Sequence, residues 1–388
     1  MNLSQKMSLL GTESAFDVLV KARALEAQGR DIIHLEIGEP DFDTPEHIVE
    51  AAKKALDDGF THYGPAAGLP ELREAIAADV AKSRNIDVHP DQIVVTPGAK
   101  PIMFYTILAY GEPGAEIIYP NPGFPIYESV IKFSGATPVA APLLEDKDFS
   151  LDIDEFRSLV NDSTRLIIIN SPQNPTGGFI PPEDLAAIAE VAVARGIPIL
   201  ADEIYSRMLY DDPFSSISAY DGVNENLIIL DGLSKTYAMT GWRIGYGVMP
   251  KELATHTARL MVNSNSCTAA FTQMAAIAAI TGPQDASDAM IAEFKKRRDV
   301  FQASLDQIEG FTCRVPKGAF YLFPNVSDVG KPSQEIENIL LEDAGVASLS
   351  GTGFGRYGEG YLRFSYANSL ENLEAAAARI AACEKLRT

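Results

Sequence analysis

The stretch "RLIIINSPQNPTGG", residues 165–178, contains a short apolar run rich in β-branched residues that ends in a turn of prolines, glycines and an asparagine. The helix-like stretch "PEDLAAIAEVAVARG" follows, with apolar residues at helical spacing and Gly196 placed to end the helix. The next apolar run is "IPILADEIY", residues 197–205. Strand, helix and strand in this order are typical of a parallel sheet covered by helices.

The same alternation extends in both directions along the chain. Four further strand-like runs are "QIVVTPGAK", "AEIIYPNPGF", "NLIILDGLSK" and "RIGYGVM". They predict an α/β fold with a mostly parallel sheet between helices. After about residue 280, long helical stretches and short strands such as "GAFYLFPNV" predict a smaller α+β domain. We expect a large domain over residues 40–280 and a small domain formed by residues 1–39 and 281–388.

Composition excludes several classes of protein. The 388 residues are 46% apolar, which is enough for a sizeable core. A formal charge of −21 repels nucleic acid and anionic membranes, so neither is an expected partner. The chain lacks a recognisable signal peptide and an apolar run long enough to cross a bilayer, which favours a cytoplasmic protein. The 3 cysteines and 5 histidines form no metal-binding pattern, and we expect no metal.

Polar residues at the carboxyl ends of the predicted strands are expected to meet at one edge of the sheet, where α/β proteins bind ligands. Gly98 and Ala99 lie at a strand-to-helix turn whose free N–H groups suit a phosphate, although an ordinary turn is the alternative. Asp202 follows a buried strand, where an unpaired carboxylate is costly. A cationic or proton-bearing partner for Asp202 is therefore expected.

Lys235 follows one apolar run, and Arg243 begins the next one. Burial would keep the Lys235 amine neutral and able to attack an aldehyde, whereas the alternative is an incidental surface lysine. Arg243 offers a planar donor fork for a phosphate. A phosphate turn, a buried aspartate, a reactive amine and an arginine together match the needs of pyridoxal 5'-phosphate. Its ring nitrogen must stay protonated, and its aldehyde is held by a lysine as an imine.

The ordered set of motifs resembles the class I/II aminotransferases of the fold-type I pyridoxal-phosphate family, and prokaryotic aspartate aminotransferases in particular. The resemblance spans almost the whole chain and is carried by "DIIHLEIGEPDFDTP", "THYGPAAGLPELREAIA", "PNPGFPIY", "NSPQNPTGG", "ADEIY", "LSKTYAMTGWRIGYG" and "GYLRFSYA". Each fragment alone is weak, but the full set in this order is highly specific. It implies a two-domain aminotransferase that uses pyridoxal phosphate and whose large domain has a mostly parallel seven-stranded sheet between helices.

The resemblance also implies a role for individual residues. Lys235 would hold the cofactor covalently, and Asp202 would pair with its ring nitrogen. Cofactor contacts are also implied for Gly98, Ala99, Lys100, Phe124, Asn174, Tyr205, Ser234 and Arg243. Substrate contacts are implied for Gly38, Lys100, Asn174 and Arg363. Tyr63 would reach the phosphate of a neighbouring subunit, which implies a homodimer. Three of these residues have ordinary structural alternatives, namely a core aromatic for Phe124, a surface aromatic for Tyr63 and a turn cap for Ser234.

The expected reaction is ping-pong exchange of an amino group between an L-amino acid and a 2-oxo acid. Lys100 matches a lysine that, in the aspartate aminotransferases this chain resembles, helps bind the second carboxylate, so aspartate and 2-oxoglutarate are favoured. A helix-start lysine that faces solvent is the alternative. Aminotransfer from alanine, aromatic amino acids, prephenate or kynurenine also stays open, as does a lyase of the same fold.

Two readings from other classes are weaker. A cofactor-binding regulator would need a DNA-binding extension, which is not evident, and its partner would be repelled by the acidic charge. A nucleotide-dependent oxidoreductase would need the glycine motif "GFGRYG", residues 353–358, to lie between a strand and a helix. It precedes a strand-like run instead, which indicates a substrate-side loop.

Overall fold

The computed structural model describes residues 3–387. The α-helices are α1 Ser14–Glu26, α2 Glu46–Asp57, α3 Pro70–Arg84, α4 Lys100–Tyr110, α5 Ile126–Ser134, α6 Ile153–Leu159, α7 Pro182–Arg195, α8 Lys251–Ser264, α9 Ala270–Thr281, α10 Asp285–Leu305, α11 Ser333–Ile339 and α12 Leu370–Ala381. The strands are β1 Ile33–His34, β2 Ile93–Thr96, β3 Glu116–Asn121, β4 Thr137–Leu144, β5 Ser150–Leu151, β6 Thr164–Asn170, β7 Ile199–Asp202, β8 Leu227–Gly232, β9 Gly245–Val248, β10 Tyr321–Leu322, β11 Val346–Ala347, β12 Leu349–Ser350 and β13 Leu362–Ser365.

Short helical segments of other types connect these elements. A π-helical turn at Leu340–Ala344 extends α11. The 3₁₀ segments are Gln5–Leu9, Pro90–Gln92, Glu145–Lys147, Ile217–Ala219, Val223–Glu225, Ser327–Val329, Gly351–Phe354, Arg356–Gly358 and Glu384–Leu386.

The main sheet has the strand order β2-β9-β8-β7-β6-β3-β4-β5. Strands β8, β7, β6, β3 and β4 run parallel, whereas β9 is antiparallel to both of its neighbours. The first seven strands of this order, from β2 at the edge to β4, confirm the prediction of a mostly parallel seven-stranded sheet. The structure adds the two-residue strand β5, antiparallel to β4, at the edge. A run of two residues is too short to carry a sequence pattern.

Helices cover both faces of this sheet, so its strands are buried on both sides. In β6, Ile167 and Ile169 belong to one apolar cluster, and Leu166 and Ile168 belong to another. Because successive side chains of a strand point to opposite faces, the two clusters lie on opposite sides of the sheet. This burial explains why the strands read as continuous apolar runs rather than as alternating ones.

The remaining strands form smaller sheets toward the C-terminal part of the chain. Strands β10, β13 and β12 make a three-stranded antiparallel sheet. Strand β1 pairs in parallel with β11, so the N-terminal part of the chain contacts the C-terminal part. An apolar cluster with Phe294, Phe301 and Phe364 packs α10 against this sheet. The α+β character expected beyond residue 280 is present, and the exact domain limits at residues 40 and 280 stay a prediction.

The topology brings several strand ends to one edge of the main sheet. Asn170, the last residue of β6, pairs with Asp202, the last residue of β7. Strand β8 ends at Gly232, three positions before Lys235. Strand β2 ends at Thr96, and α4 begins at Lys100. Within residues 3–387 the structure contains no helix that is both long and apolar enough to cross a membrane.

Candidate active site

A cavity of about 1170 Å³ lies at this edge of the main sheet. Most of the residues selected from the sequence line it, although they come from distant parts of the chain. They are Gly38, Ala99, Lys100, Phe124, Asn174, Asp202, Tyr205, Ser234, Lys235, Arg243 and Arg363. The prediction that polar strand-end residues meet in one place is therefore confirmed in geometry.

Lys235 lies in the wall of the cavity, in the turn after β8. Its amine donates a hydrogen bond to the carbonyl oxygen of Gly38. Burial lowers the pKa of Lys235 from its ordinary value to about 8, and the charge of Glu39 partly opposes that decrease. An amine with this pKa is partly neutral near pH 7, whereas an ordinary surface lysine is almost entirely protonated.

Asp202 lies at the end of β7 with its carboxylate buried. The Tyr127 hydroxyl donates to Asp202 Oδ2 at 2.6 Å, and the Ile204 N–H donates to Oδ1 at 3.3 Å. Burial raises the pKa of Asp202 to about 6, whereas the hydrogen bond from Tyr127 lowers it. A cation that binds beside a buried carboxylate held in this way stabilises its ionised form.

Tyr127 is a residue of the site that the sequence reasoning missed. It belongs to α5 and is fully buried, and its ring meets that of Phe124 edge to face at 5.7 Å. The motif "PNPGFPIY" ends at this tyrosine, three positions after Phe124, the predicted stacking residue. Proximity to Phe124 was the available signal, but nothing in the sequence tied Tyr127 to Asp202.

The loop after β6 positions Asn174. The Asn170 side chain donates to the Asp202 carbonyl oxygen at 2.9 Å and accepts from the Asn174 N–H at 3.0 Å. Asn174 Oδ1 in turn accepts a hydrogen bond from Arg363 Nη1 at 3.0 Å. Because its carbonyl oxygen is occupied in this way, the Asn174 amide has its NH₂ donors available for a ligand.

Arg363, on β13, presents a buried guanidinium to the cavity. Its Nη2 donates to the carbonyl oxygen of Glu36. The rings of Tyr321 and Phe354 lie 4.6 and 4.9 Å from the guanidinium. Burial lowers the pKa of Arg363, but an arginine remains charged at any physiological pH. Arg363 Nε is buried without a hydrogen-bond partner within residues 3–387, as expected of a fork prepared for a carboxylate.

Two buried tyrosines line the cavity between Arg363 and Lys235. The hydroxyls of Tyr205 and Tyr321 are 2.8 Å apart. Burial raises the pKa of Tyr205 well above its ordinary value, so its hydroxyl stays protonated and can donate. A Cβ at Gly38 would lie 2.3 Å from the Tyr321 hydroxyl oxygen, so any larger residue at position 38 would require Tyr321 to move. Tyr321 was not selected from the sequence, where it reads only as part of the strand "GAFYLF".

Gly98 and Arg243 form a positively charged cradle at the start of α4. Gly98 has φ +84°, and a Cβ there would lie 2.3 Å from Arg243 Nη2. A Cβ at Gly245 would lie 2.4 Å from the backbone nitrogen of Ala99. Absence of side chains at both glycines therefore lets a guanidinium and a helix N-terminus meet closely. This combination suits an anion such as phosphate.

Of the remaining predicted residues, Ser234 and Lys100 line the cavity and Tyr63 does not. Ser234 is buried in the wall beside Lys235. Lys100 Nζ lies 5.2 Å from the centre of the Phe124 ring and forms an ion pair with Glu13. Tyr63 is 90% exposed and does not line the cavity.

A buried ionic cluster fixes β7 and β8 behind the cavity. Arg84 donates to Glu203 Oε2 at 2.9 Å and to Asp231 Oδ2 at 2.5 Å. Glu203 follows Asp202 directly, and Asp231 Oδ1 accepts from the Gly232 N–H at 2.7 Å. The cluster therefore ties together the chain segments that carry Asp202 and Lys235. Its arginine comes from α3, 119 positions before Glu203, and no local sequence pattern indicates this pairing.

Comparisons with known proteins show which family this chain resembles. Residues 30–380 match the family model described as aminotransferase class I and II. An aspartate aminotransferase of Pyrococcus abyssi is 41% identical, with 90% of this chain and 91% of the relative aligned. Aromatic-amino-acid aminotransferase 2 of Thermococcus litoralis is 38% identical over 98% and 97% of the two chains.

A solved structure extends the similarity to three dimensions. The aspartate aminotransferase of Rhizobium meliloti superimposes with a TM-score of 0.95 at 33% identity, covering 99% of this chain and 98% of that one. Family model, sequence relatives and structural neighbour all cover nearly the whole chain, and the cavity residues come from the same span. The chain belongs to the class I and II aminotransferases.

Proposed function

We propose that this aminotransferase uses pyridoxal 5'-phosphate to exchange an amino group between aspartate and 2-oxoglutarate, with Lys235 as its covalent anchor. The observation that carries the proposal is the content of one cavity. An amine of lowered pKa, a buried carboxylate, an anion cradle and a buried guanidinium fork surround the same space. An acceptor of amino groups that carries an aldehyde, a basic ring nitrogen and a phosphate would use the first three, and the α-carboxylate of an amino acid would bind the guanidinium fork.

The residues fit this cofactor. The cradle of Gly98 and Arg243 would hold its phosphate, with Ala99, Lys100 and Ser234 at the margin. Asp202 would pair with its ring nitrogen, because no cation within residues 3–387 pairs with that buried carboxylate. The Tyr205 hydroxyl and the Asn174 NH₂ would donate to its phenolic oxygen, and Phe124 would stack on its ring. When bound, pyridoxal phosphate supplies a conjugated ring that stores the electron pair left when a substrate Cα–H bond is broken.

The residues of this chain would then perform three tasks. Lys235 Nζ would accept the proton from the substrate Cα and later release it, which requires an amine with a pKa near neutrality. Arg363 and the Gly38 backbone would hold the α-carboxylate and so orient the substrate. Asp202 would favour the protonated form of the cofactor's ring nitrogen through a charge-assisted hydrogen bond.

Substrate choice is argued from Lys100. Its ammonium lies in the cavity wall and already binds a carboxylate, that of Glu13. A four- or five-carbon dicarboxylic acid has a second carboxylate for Lys100 in addition to the one that Arg363 would bind. Relatives named for aspartate favour the same substrate, whereas the relative named for aromatic amino acids keeps that alternative in the test.

We also propose a homodimer in which Tyr63 contributes to the partner's cofactor site. A tyrosine that is 90% exposed and outside its own cavity is free to reach a second copy of the chain. The dimer is checked by sedimentation of the loaded protein. Tyr63→Phe should then weaken cofactor binding without dissociating the dimer.

A half-reaction panel tests the substrate and the reaction together. The protein loaded with pyridoxal phosphate is mixed with aspartate, glutamate, alanine, tyrosine, phenylalanine and kynurenine, and the visible absorbance of the cofactor is followed. Aspartate and glutamate should discharge the absorbance fastest, while Lys235→Ala should support no turnover. Dicarboxylic donors among the slowest would refute the substrate, and full transamination by Lys235→Ala would refute the role of the lysine.

A further inference from the structure

The carboxylate of Glu13 forms an ion pair with Lys100 in the wall of the cavity. Glu13 precedes α1, but its side chain does not cap that helix. It forms an ion pair with Lys100 instead, across 87 positions of the sequence. Both residues line the cavity, and the side chain of Glu13 is only 23% exposed. The pair is therefore partly exposed, but it lies in the wall of the same cavity as Lys235 and Arg363.

The charge of Glu13 extends to the groups proposed to act on substrate. Burial lowers the pKa of Arg363 and of Lys235, and in both cases the Glu13 carboxylate partly opposes the decrease. The carboxylate is thus close enough to interact electrostatically with both Arg363 and Lys235. A second carboxylate entering that space would meet both the attraction of Lys100 and the repulsion of Glu13.

We propose that Glu13 is a specificity-determining residue, a tethered carboxylate that competes with the second carboxylate of a dicarboxylic substrate for Lys100. The inference rests on the proposed function, since it requires that dicarboxylic acids bind in this cavity. A dicarboxylic ligand must displace Glu13, whereas a monocarboxylic ligand held by Arg363 leaves the pair intact. Glu13 therefore weakens the binding of dicarboxylic acids and leaves the binding of monocarboxylic ligands almost unchanged.

The size of the effect follows from the ion pair. Lys100 is 47% exposed, and partly exposed ion pairs have modest strength. Freeing Lys100 from such a pair should tighten a dicarboxylic ligand by about two- to fivefold. The same change should alter the affinity of a monocarboxylic ligand by less than about 1.5-fold, because that ligand does not contact Lys100.

The test is ligand binding to the loaded Glu13→Gln enzyme, measured by calorimetry with maleate and with butyrate. We expect the dissociation constant of maleate to fall about two- to fivefold while that of butyrate does not change. In turnover, the KM of aspartate should fall and that of alanine should not, with kcat unchanged for both. Glu128→Gln is the matched control, because Glu128 forms a similar pair with Lys132 outside the cavity.

A double-mutant cycle separates competition from a general effect on the N-terminal segment. In a Lys100→Met background, Glu13→Gln should have no further effect on maleate binding. Equal changes for maleate and butyrate, or a persistent effect in the Lys100→Met background, would overturn the inference. A parent enzyme that binds maleate, with a Glu13→Gln variant that binds it equally well, would overturn the inference alone. A parent that binds no maleate would overturn the proposed dicarboxylic function as well.

Discussion

Replacement of Tyr127 by phenylalanine should disable Asp202 without removing it. The Tyr127 hydroxyl donates to Asp202 Oδ2 at 2.6 Å, and Tyr127 is fully buried. Phenylalanine keeps the ring and its edge contact with Phe124, so the change is confined to one hydrogen bond. The loss leaves a buried carboxylate oxygen without its donor, which disfavours the ionised form of Asp202.

The magnitude follows from that bond. A hydrogen bond to a charged group contributes about 1.5–3 kcal/mol. Since about 1.4 kcal/mol corresponds to one pKa unit, the pKa of Asp202 should rise by about one to two units. Burial already raises that pKa to about 6 in the cofactor-free protein. In the variant, much of Asp202 would therefore be protonated at pH 7 and unable to pair with a charged ring nitrogen.

The assay is the affinity of the cofactor-free protein for pyridoxal phosphate between pH 5 and 9. Affinity should fall as pH drops through the pKa of Asp202, and the midpoint of this fall should move up by about one to two pH units in Tyr127→Phe. At pH 7, kcat/KM should fall by about tenfold or more. Tyr119→Phe is the control, since Tyr119 donates at 2.8 Å to Glu128, which is outside the cavity. An unchanged midpoint together with control-like activity would refute the role given to Tyr127.

Two further perturbations address the cradle and the lysine. Gly98→Ala places a Cβ 2.3 Å from Arg243 Nη2 at a φ of +84°, so affinity for pyridoxal phosphate and for inorganic phosphate should each fall by about tenfold or more. Gly114→Ala is its control, since Gly114 has a similar φ of +92° but open space around it, and equal losses in both variants would contradict the cradle. Because burial lowers the pKa of Lys235 to about 8, covalent attachment of cofactor to the cofactor-free protein should speed up from pH 7 to 9 and then level off. A rate that keeps rising tenfold per unit beyond pH 9 would indicate an ordinary lysine.

Local patterns were sufficient to predict the main sheet and the place of the site. In α7, apolar spacing and Gly196 predicted both the helix and its end, and Gly196 indeed ends it with φ +63°. Asp202 was expected to be buried at a strand end because it follows an apolar run, and it is. Such features depend on neighbouring residues, so a single sequence contains them.

Side-chain partners from distant segments could not be predicted in the same way. Tyr127 reaches Asp202 across 75 positions, and Tyr321 reaches Tyr205 across 116. Each pairing depends on how a helix or a second sheet packs against the main sheet, and no periodicity encodes that packing. The partner of Lys100 illustrates the same point, since Glu13 lies in a segment whose own pattern indicates only the start of a helix.

Reduction with borohydride followed by peptide mapping tests whether Lys235 holds the cofactor covalently. Protein loaded with pyridoxal phosphate is reduced, digested and analysed by mass spectrometry for the added cofactor mass. We expect the added mass on the peptide that contains Lys235 and on no other lysine. Attachment at a different lysine, or a loaded protein whose cofactor cannot be fixed by reduction, would contradict the role proposed for Lys235.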